Sequence, residues 1–164
     1  KFNNLKSFLG DYKYILRAMP TLGISSGSSP IAFYTDMNIN DNNAIDILEK
    51  LGSCLRIEED KFDAFTSIFG AGPAFISHLS NTLAKIAKEH GFEEPEPWIR
   101  EILDGTSHIH KSDEKNSFEN IVDMVASKGG VTEAALNKIN EEGIEKIWNE
   151  AINDAILKSR ALGD

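Results

Sequence analysis

The sequence predicts a mostly α-helical fold in which a short α/β segment precedes an all-helical unit. Strand-like runs, rich in aromatic and β-branched residues, occur only within residues 1–58. From residue 59 onward the apolar residues recur at spacings of three and four, which is typical of amphipathic helices. We therefore expect two parts, an α/β part at 1–58 and a helical part at 59–164.

The first part should contain a helix, a strand, a loop, a second strand, a second helix and a third strand. Gly10 is typical of a helix C-terminus, and the apolar run 12–19 ends at Pro20, which cannot donate to a strand ladder. Residues 21–30 have the glycine- and serine-rich composition of a loop. Three strands are too few to form a nucleotide-binding domain unaided. The predicted strands are 12–19, 31–35 and 53–58, and the second helix is 41–51.

The second part divides into helices separated by glycine, proline or polar turns. The longest one is apolar at Ile76, Leu79, Leu83 and Ile86 and also at neighbouring positions, so its apolar face is wider than one stripe. It is either the core helix of a monomer or a helix whose face a second copy covers, and periodicity leaves both open. The predicted helices are 62–69, 76–90, 98–109, 118–126, 132–142 and 144–156.

Composition excludes several classes of protein. A net charge of −9 disfavours nucleic acid as the main partner, because binding to phosphates needs a basic surface. Cys54 is the single cysteine, which excludes a disulfide scaffold and favours a reducing, cytoplasmic location. No apolar run approaches the roughly 20 residues of a membrane span. Because the chain begins Lys1-Phe2 without Met, we expect it to be a piece of a longer or processed protein.

Three patterns that resemble functional motifs have the wrong context. Residues 23–27 fit Gly-x-Ser-x-Gly, but a strand follows instead of the helix that a nucleophile elbow requires. Residues 70–75 begin like a dinucleotide fingerprint, but Phe75 replaces the third glycine; we interpret them as a helix break in which Gly70 takes a positive φ. We expect no metal site, because the histidines lack ligand spacing. They are His78, His90, His108 and His110.

The segment Ser127-Lys128-Gly129-Gly130-Val131-Thr132 is the candidate site. Two glycines precede a predicted helix that Thr132 would cap, so several backbone N–H groups should be free at the positive end of the helix dipole. An anion fits such a place. The alternative is an ordinary N-cap in a tight turn, with Glu133 complementing the dipole.

Four stretches in this order resemble the pyrroline-5-carboxylate reductase family, which reduces 1-pyrroline-5-carboxylate to proline with NAD(P)H. Four such stretches in the same order and at similar separations are harder to obtain by chance than any single stretch. Together the stretches span nearly the whole chain. The stretches are Arg17-Ala18-Met19-Pro20, then 59–64 leading into 70–75, then 127–132, and Lys158-Ser159-Arg160-Ala161-Leu162-Gly163.

The resemblance implies a fold and a set of roles. Residues 1–58 would be the closing α/β elements of a Rossmann domain whose amino-terminal half is absent. Residues 59–164 would be a dimerisation domain like the C-terminal domain of 6-phosphogluconate dehydrogenase, forming a homodimer through the long helix at 76–86. In the loop, Thr132 would be the catalytic residue at the substrate nitrogen, and the substrate carboxylate would bind Ser127, Gly129, Gly130 and Thr132. Met19 and Pro20 would contact the cofactor.

The chain also departs from the family pattern at polar positions. Thr21 replaces an Asn that follows Met-Pro, Ala71 and Phe75 replace a Ser and a Tyr, and Lys128 replaces a Pro. These changes imply altered substrate choice or lost activity, so a non-catalytic paralogue or a homodimerising module is the alternative function. The chain alone should be inactive and should not bind NAD(P)H tightly. The choice between NADH and NADPH, the preferred substrate and assemblies beyond a dimer are left open.

Overall fold

The computed structural model describes residues 1–12, 14–36, 43–112 and 117–163. They form two compact units, one made of 1–76 with 150–164 and the other of 77–149. The predicted division after residue 58 follows sequence pattern rather than compactness, and it stays a prediction. No helix among the described residues has the length and apolar character needed to cross a membrane.

The first unit contains a three-stranded sheet in the order β1-β2-β3. β1 is antiparallel to β2, with Ala18 opposite Phe33, whereas β2 and β3 are parallel, with Ile31 opposite Cys54. The elements up to the second unit are α1 (Phe2–Leu9), β1 (Arg17–Met19), β2 (Ser29–Tyr34), α2 (Asn43–Glu49), β3 (Gly52–Arg56) and α3 (Phe62–Phe65).

The predicted strand at 12–19 is mostly wrong, because only its last three residues pair with β2. Tyr12 and Tyr14 are each 74% exposed, so their aromatic character does not reflect burial in a sheet. Lys13 lies outside the described residues, as do the first two positions of the predicted helix at 41–51. The other two strands lie where they were predicted, within two residues at each end.

The core of the first unit joins the sheet to α3. Ala32 on β2 packs with Phe62 and Phe65, all of them nearly inaccessible to solvent. Met19, Tyr34 and Ile57 pack against this cluster. The apolar spacing that predicted the helix at 62–69 therefore marks the face that covers the sheet.

The break after α3 differs from the prediction. Residues Thr66–Gly70 form one π-helical turn, closed by a 3.0 Å bond from the Ala71 N–H to the Thr66 carbonyl. Gly70 does not have the positive φ that we expected. A Cβ at Gly70 would instead lie 3.3 Å from Cε of Met19, so the glycine accommodates a close neighbour.

After the π-helical turn, all the regular elements of the described residues are helices. The long helix predicted around 76–90 begins earlier, at Gly72, and ends where expected, before Gly91, which has a φ of +89°. The helices are α4 (Gly72–Glu89), α5 (Glu96–Ser112), α6 (Phe118–Val125), α7 (Val131–Glu141) and α8 (Ile144–Gly163).

The second unit has almost no core of its own. Among its described residues, which exclude 113–116, only Ala84 and Pro95 are buried. Of the four apolar residues of α4 that predicted a wide face, Leu79, Leu83 and Ile86 lie in the second unit and are 42–54% exposed, and Ile76, at the end of the first unit's main segment, is 52% exposed. Burial of apolar faces is the main stabilising contribution to folding, and the described part of this unit makes little use of it.

Candidate functional site

The loop between α6 and α7 makes a tight turn. The Gly130 N–H donates to the Ser127 carbonyl at 2.8 Å, which closes the turn. Gly129, inside the turn, has a φ of +73°, in the left-handed region that side chains disfavour. This position therefore favours glycine for conformational reasons.

Gly130 is required for a different reason. A Cβ at this position would lie 2.6 Å from Oγ of Ser127 and 2.8 Å from the Ser127 carbonyl oxygen. Both distances are too short for van der Waals contact, so a side chain at position 130 would force the turn open. The tight turn thus brings Gly130 against Ser127, two of the predicted substrate-binding residues of the loop, with Gly129 between them.

Two details of the predicted site are wrong. α7 begins at Val131 and its N-cap is Gly130, in an extended conformation, so Thr132 is the second helical residue and does not cap the helix. The Gly130 N–H is not free, because the Ser127 carbonyl accepts it. Both differences arise because the tight turn brings position 130, two residues earlier than expected, into the capping geometry.

Glu133 makes a contact that the sequence analysis missed. Its Oε2 accepts a hydrogen bond from the Gly129 N–H at 2.7 Å. The signal was present in the sequence, because a glutamate at the third position of a helix commonly bonds an amide just before the helix. A carboxylate oxygen therefore already lies on one of the amides predicted to hold an anion.

The predicted cofactor contacts lie in the first unit, at the end of β1. Met19 is half-buried against the Phe62 and Phe65 cluster, and Pro20 is exposed. Thr21, which replaces the family asparagine, is buried, and its N–H donates to Oγ of Ser29 at 2.8 Å while the two hydroxyls lie 3.1 Å apart. Ser29 thus fixes the backbone that follows Pro20 and engages the Thr21 hydroxyl.

Arg17 anchors the start of the same strand. Its guanidinium lies 4.1 Å from the centre of the Phe62 ring and pairs with Oε1 of Glu59. The Phe2 N–H donates to the same carboxylate oxygen at 2.7 Å. These contacts join β1 to the segment that leads into α3. Among the described residues, no group of three or more His, Cys, Asp and Glu side chains is arranged to hold a metal ion.

Comparison with known proteins decides the family. The family model described as pyrroline-5-carboxylate reductase dimerisation matches residues 59–162. The chain belongs to the pyrroline-5-carboxylate reductase family. The resemblance drawn from the four sequence stretches is therefore confirmed.

Curated relatives of the pyrroline-5-carboxylate reductase family match nearly the whole chain. The reductase of Aquifex aeolicus is 32% identical over 164 residues, which cover 96% of this chain and 61% of the relative. That of Staphylococcus haemolyticus is 32% identical over 151 residues, covering 88% of this chain and 55% of the relative. The chain thus spans less than two thirds of the length of these relatives.

Solved structures of family members share the fold. A pyrroline-5-carboxylate reductase from Coxiella burnetii has a TM-score of 0.90 at 20% identity, covering 99% of this chain and 62% of that one. The Streptococcus pyogenes enzyme has a TM-score of 0.82 at 27% identity, covering 98% and 64%. The Plasmodium falciparum pyrroline carboxylate reductase, solved with NADP bound, has a TM-score of 0.83 at 22% identity, covering 99% and 67%. The predicted fold class, a helical dimerisation domain preceded by a short α/β remnant, is confirmed.

Proposed function

We propose that this chain supplies the substrate-carboxylate loop and the dimer-forming helices of an NAD(P)H-dependent reductase of 1-pyrroline-5-carboxylate. The observation that carries the proposal is the hydrogen bond from the Gly129 amide to the chain's own Glu133 carboxylate at 2.7 Å, beside the N-terminus of α7, because it places a carboxylate-binding donor in this loop. The first N–H groups of a helix have no partner within the helix and attract negative charge. The loop of this family member therefore has the chemistry to bind a small carboxylate.

Each loop residue would have its own role in substrate binding. The Gly129 amide and the Ser127 hydroxyl would hold the substrate carboxylate, and Gly130 would keep the turn closed rather than offer its own amide. Thr132, half-buried in the first turn of α7, would donate its hydroxyl proton in a hydrogen bond to the imine nitrogen. Such a bond would strengthen as the nitrogen gains basicity during reduction, and this would lower the barrier.

NAD(P)H would supply the hydride when it is bound. This chain offers only part of such a site: Pro20 is exposed at the end of β1 and Met19 is fixed beside it by the core. Among the described residues no strand leads through a glycine-rich turn into a helix, as a dinucleotide fingerprint requires. We therefore propose that Met19 and Pro20 contact the cofactor and that this chain alone does not bind it tightly. A reducing, cytoplasmic location fits both the cofactor and the free thiol of Cys54.

Homodimer formation through the 76–86 face of α4 is part of the proposal. The second unit buries only two of its described residues, and the exposed face of α4 lies in the region that matches the dimerisation family model. Leu79→Glu should convert a dimer to a monomer in sedimentation velocity, because it would place a charge in the apolar interface. Lys85→Glu on the same helix is the matched control. A monomeric wild type at micromolar concentration would contradict the proposal.

The catalytic proposal is tested in the protein as its gene encodes it. Thr132→Ala should lower kcat for 1-pyrroline-5-carboxylate by roughly 100-fold, and Thr132→Ser should restore most of it, because only the hydroxyl is needed. Ser112→Ala is the control, since that hydroxyl donates to the Ile109 carbonyl at the end of α5. Unchanged turnover in Thr132→Ala would contradict the assignment of Thr132 as the catalytic residue.

A non-catalytic dimerising module is the second candidate. It is favoured by the hydroxyls missing at Ala71 and Phe75 and by Thr21, whose hydroxyl is turned to Ser29 and buried. A wild-type protein that dimerises but oxidises neither NADH nor NADPH with the substrate would support this second function. A glycine-rich strand–turn–helix fingerprint encoded upstream would support the enzyme.

A further inference from the structure

Glu133 lies on the amide that the proposed function assigns to the substrate carboxylate. Its Oε2 accepts the Gly129 N–H at 2.7 Å, and its side chain is half-buried in the first turn of α7. The contact has a structural effect of its own, since a carboxylate here complements the helix dipole. Any effect of Glu133 on ligand choice rests on the proposed function, because it requires that this loop hold the substrate carboxylate.

Two carboxylates cannot share this position. One N–H donates one strong hydrogen bond, and a second carboxylate at the same amide would lie within a few ångströms of the first, where like charges repel. The side chain that could offset this repulsion, Lys128, is exposed to water, which weakens its effect. A ligand carboxylate therefore has to displace Glu133 from Gly129, and the free energy of breaking that bond is subtracted from its own binding.

We infer that Glu133 is a specificity-determining residue that competes with the carboxylate of the substrate. It weakens the binding of cyclic imines that carry a carboxylate and does not weaken the binding of those without one. A cyclic imine without a carboxylate has no group that must bind the Gly129 amide. Its protonated form is attracted by the Glu133 carboxylate. The chain therefore discriminates less between the two substrate classes than the same loop would with an uncharged residue at position 133.

The experiment compares the wild type with Glu133→Gln and Glu133→Ala in the protein as its gene encodes it. The substrates are 1-pyrroline-5-carboxylate and 1-pyrroline, which lacks the carboxylate, and binding of L-proline is measured by calorimetry as a readout independent of turnover. Glu133→Gln should lower KM for 1-pyrroline-5-carboxylate and Kd for L-proline by roughly tenfold, the size expected of one charge-assisted hydrogen bond partly exposed to water. KM for 1-pyrroline should stay the same or rise.

A matched control separates this effect from a general change in charge. Glu145→Gln removes the same charge from the first turn of α8 and should leave all three constants unchanged. If the role of Glu133 were purely structural, its substitution would change the KM values of both substrates in parallel, most of all in Glu133→Ala. That result would overturn the inference. So would an unchanged or higher KM for 1-pyrroline-5-carboxylate in an active Glu133→Gln enzyme. If wild type and variants all fail to turn over substrate and to bind L-proline, the proposed function fails, and the inference fails with it.

Discussion

Ser159 in α8 donates a hydrogen bond to Oδ1 of Asp63 in α3 at 2.7 Å, although 96 residues separate them in sequence. Both residues belong to the first unit, so the bond fastens the last helix of the chain to the helix that covers the sheet. The contact is partly buried, and a donor to a carboxylate makes a stronger bond than a neutral pair does.

Removal of this bond should destabilise the first unit measurably. Ser159→Ala should lower the free energy of unfolding by about 1–2 kcal/mol, because the Asp63 carboxylate loses a partner in a place that water reaches poorly. Urea unfolding followed by circular dichroism measures it. In a double-mutant cycle with Asp63→Ala, the two effects should be clearly less than additive. Additive effects would mean that the hydroxyl and the carboxylate do not interact in solution.

The Arg17–Glu59 pair should contribute more than an exposed pair does. Arg17→Met leaves the half-buried Glu59 carboxylate with the Phe2 amide alone on Oε1, and Oε2 is buried without a hydrogen-bond partner among the described residues. We expect a loss of roughly 2 kcal/mol in the free energy of unfolding, between the values typical of exposed and buried pairs.

The matched control also replaces the basic residue of an ion pair with Met, but at an exposed pair. Lys6→Met breaks an exposed pair with Asp36 and should cost less than about 0.5 kcal/mol. Arg17→Lys should recover only part of the loss, because an ammonium group does not stack on the Phe62 ring as a guanidinium does. Equal losses in Arg17→Met and Lys6→Met would contradict the distinction.

The two loop glycines should respond differently to alanine. Gly129→Ala meets no atom within 4 Å, so its cost is that of the left-handed backbone alone, about 1 kcal/mol in the free energy of unfolding. Gly130→Ala collides with Ser127 and should cost roughly 2 kcal/mol or more, as overpacked positions do. Urea unfolding of both variants checks the order.

Ser127→Ala tests the cause of the Gly130 effect. It removes Oγ, the nearer of the two colliding atoms, but leaves the Ser127 carbonyl oxygen in place. The double variant should therefore regain part of the stability lost by Gly130→Ala and no more. A reversed order of the two glycine variants, or full recovery in the double variant, would show that the turn has a different geometry.

The elements that sequence predicted well are those whose residues contact their own neighbours in the chain. Five of the six predicted helices of the second part form as α-helices, and the sixth, at 62–69, is α-helical to Phe65 and continues as a π-helical turn, because apolar spacing and glycine or proline boundaries are local signals. The strand at 12–19 failed because pairing depends on the length of its partner, and β2 offers partners only to Arg17, Ala18 and Met19. Local composition does not contain that information.

The candidate site was predictable in part. Two adjacent glycines before a helix located the loop, but which of them caps α7 depends on the turn closed by the Ser127 carbonyl. The Glu133 contact follows a known capping pattern, yet its partner, Gly129, is one residue earlier than that pattern specifies. The roles of Ser127, Gly129, Gly130, Thr132, Met19 and Pro20 in binding stay predictions.

The Cys54 thiol on β3 should react slowly with alkylating reagents while the protein is folded. Partial burial raises its pKa, and the nearby Glu49 carboxylate raises it further, so fewer molecules carry the reactive thiolate at a given pH. At pH 8 we expect iodoacetamide to label the folded protein several-fold more slowly than the urea-unfolded chain, as measured by mass spectrometry.

The same shift fixes the sign of a pH effect on stability. Because the pKa of Cys54 is raised by folding, its contribution to stability is complete below the pKa of the unfolded thiol and is lost as the pH rises through the pKa of the folded one. Cys54→Ser, whose hydroxyl does not ionise, should therefore lose less stability than wild type between neutral and strongly alkaline pH.

Glu49→Gln should speed labelling of the Cys54 thiol in the folded protein. Glu58→Gln should not, because Glu58 is an exposed glutamate that is not among the causes of the pKa shift. Labelling of the folded protein as fast as of the unfolded chain would mean that β3 does not shield this thiol.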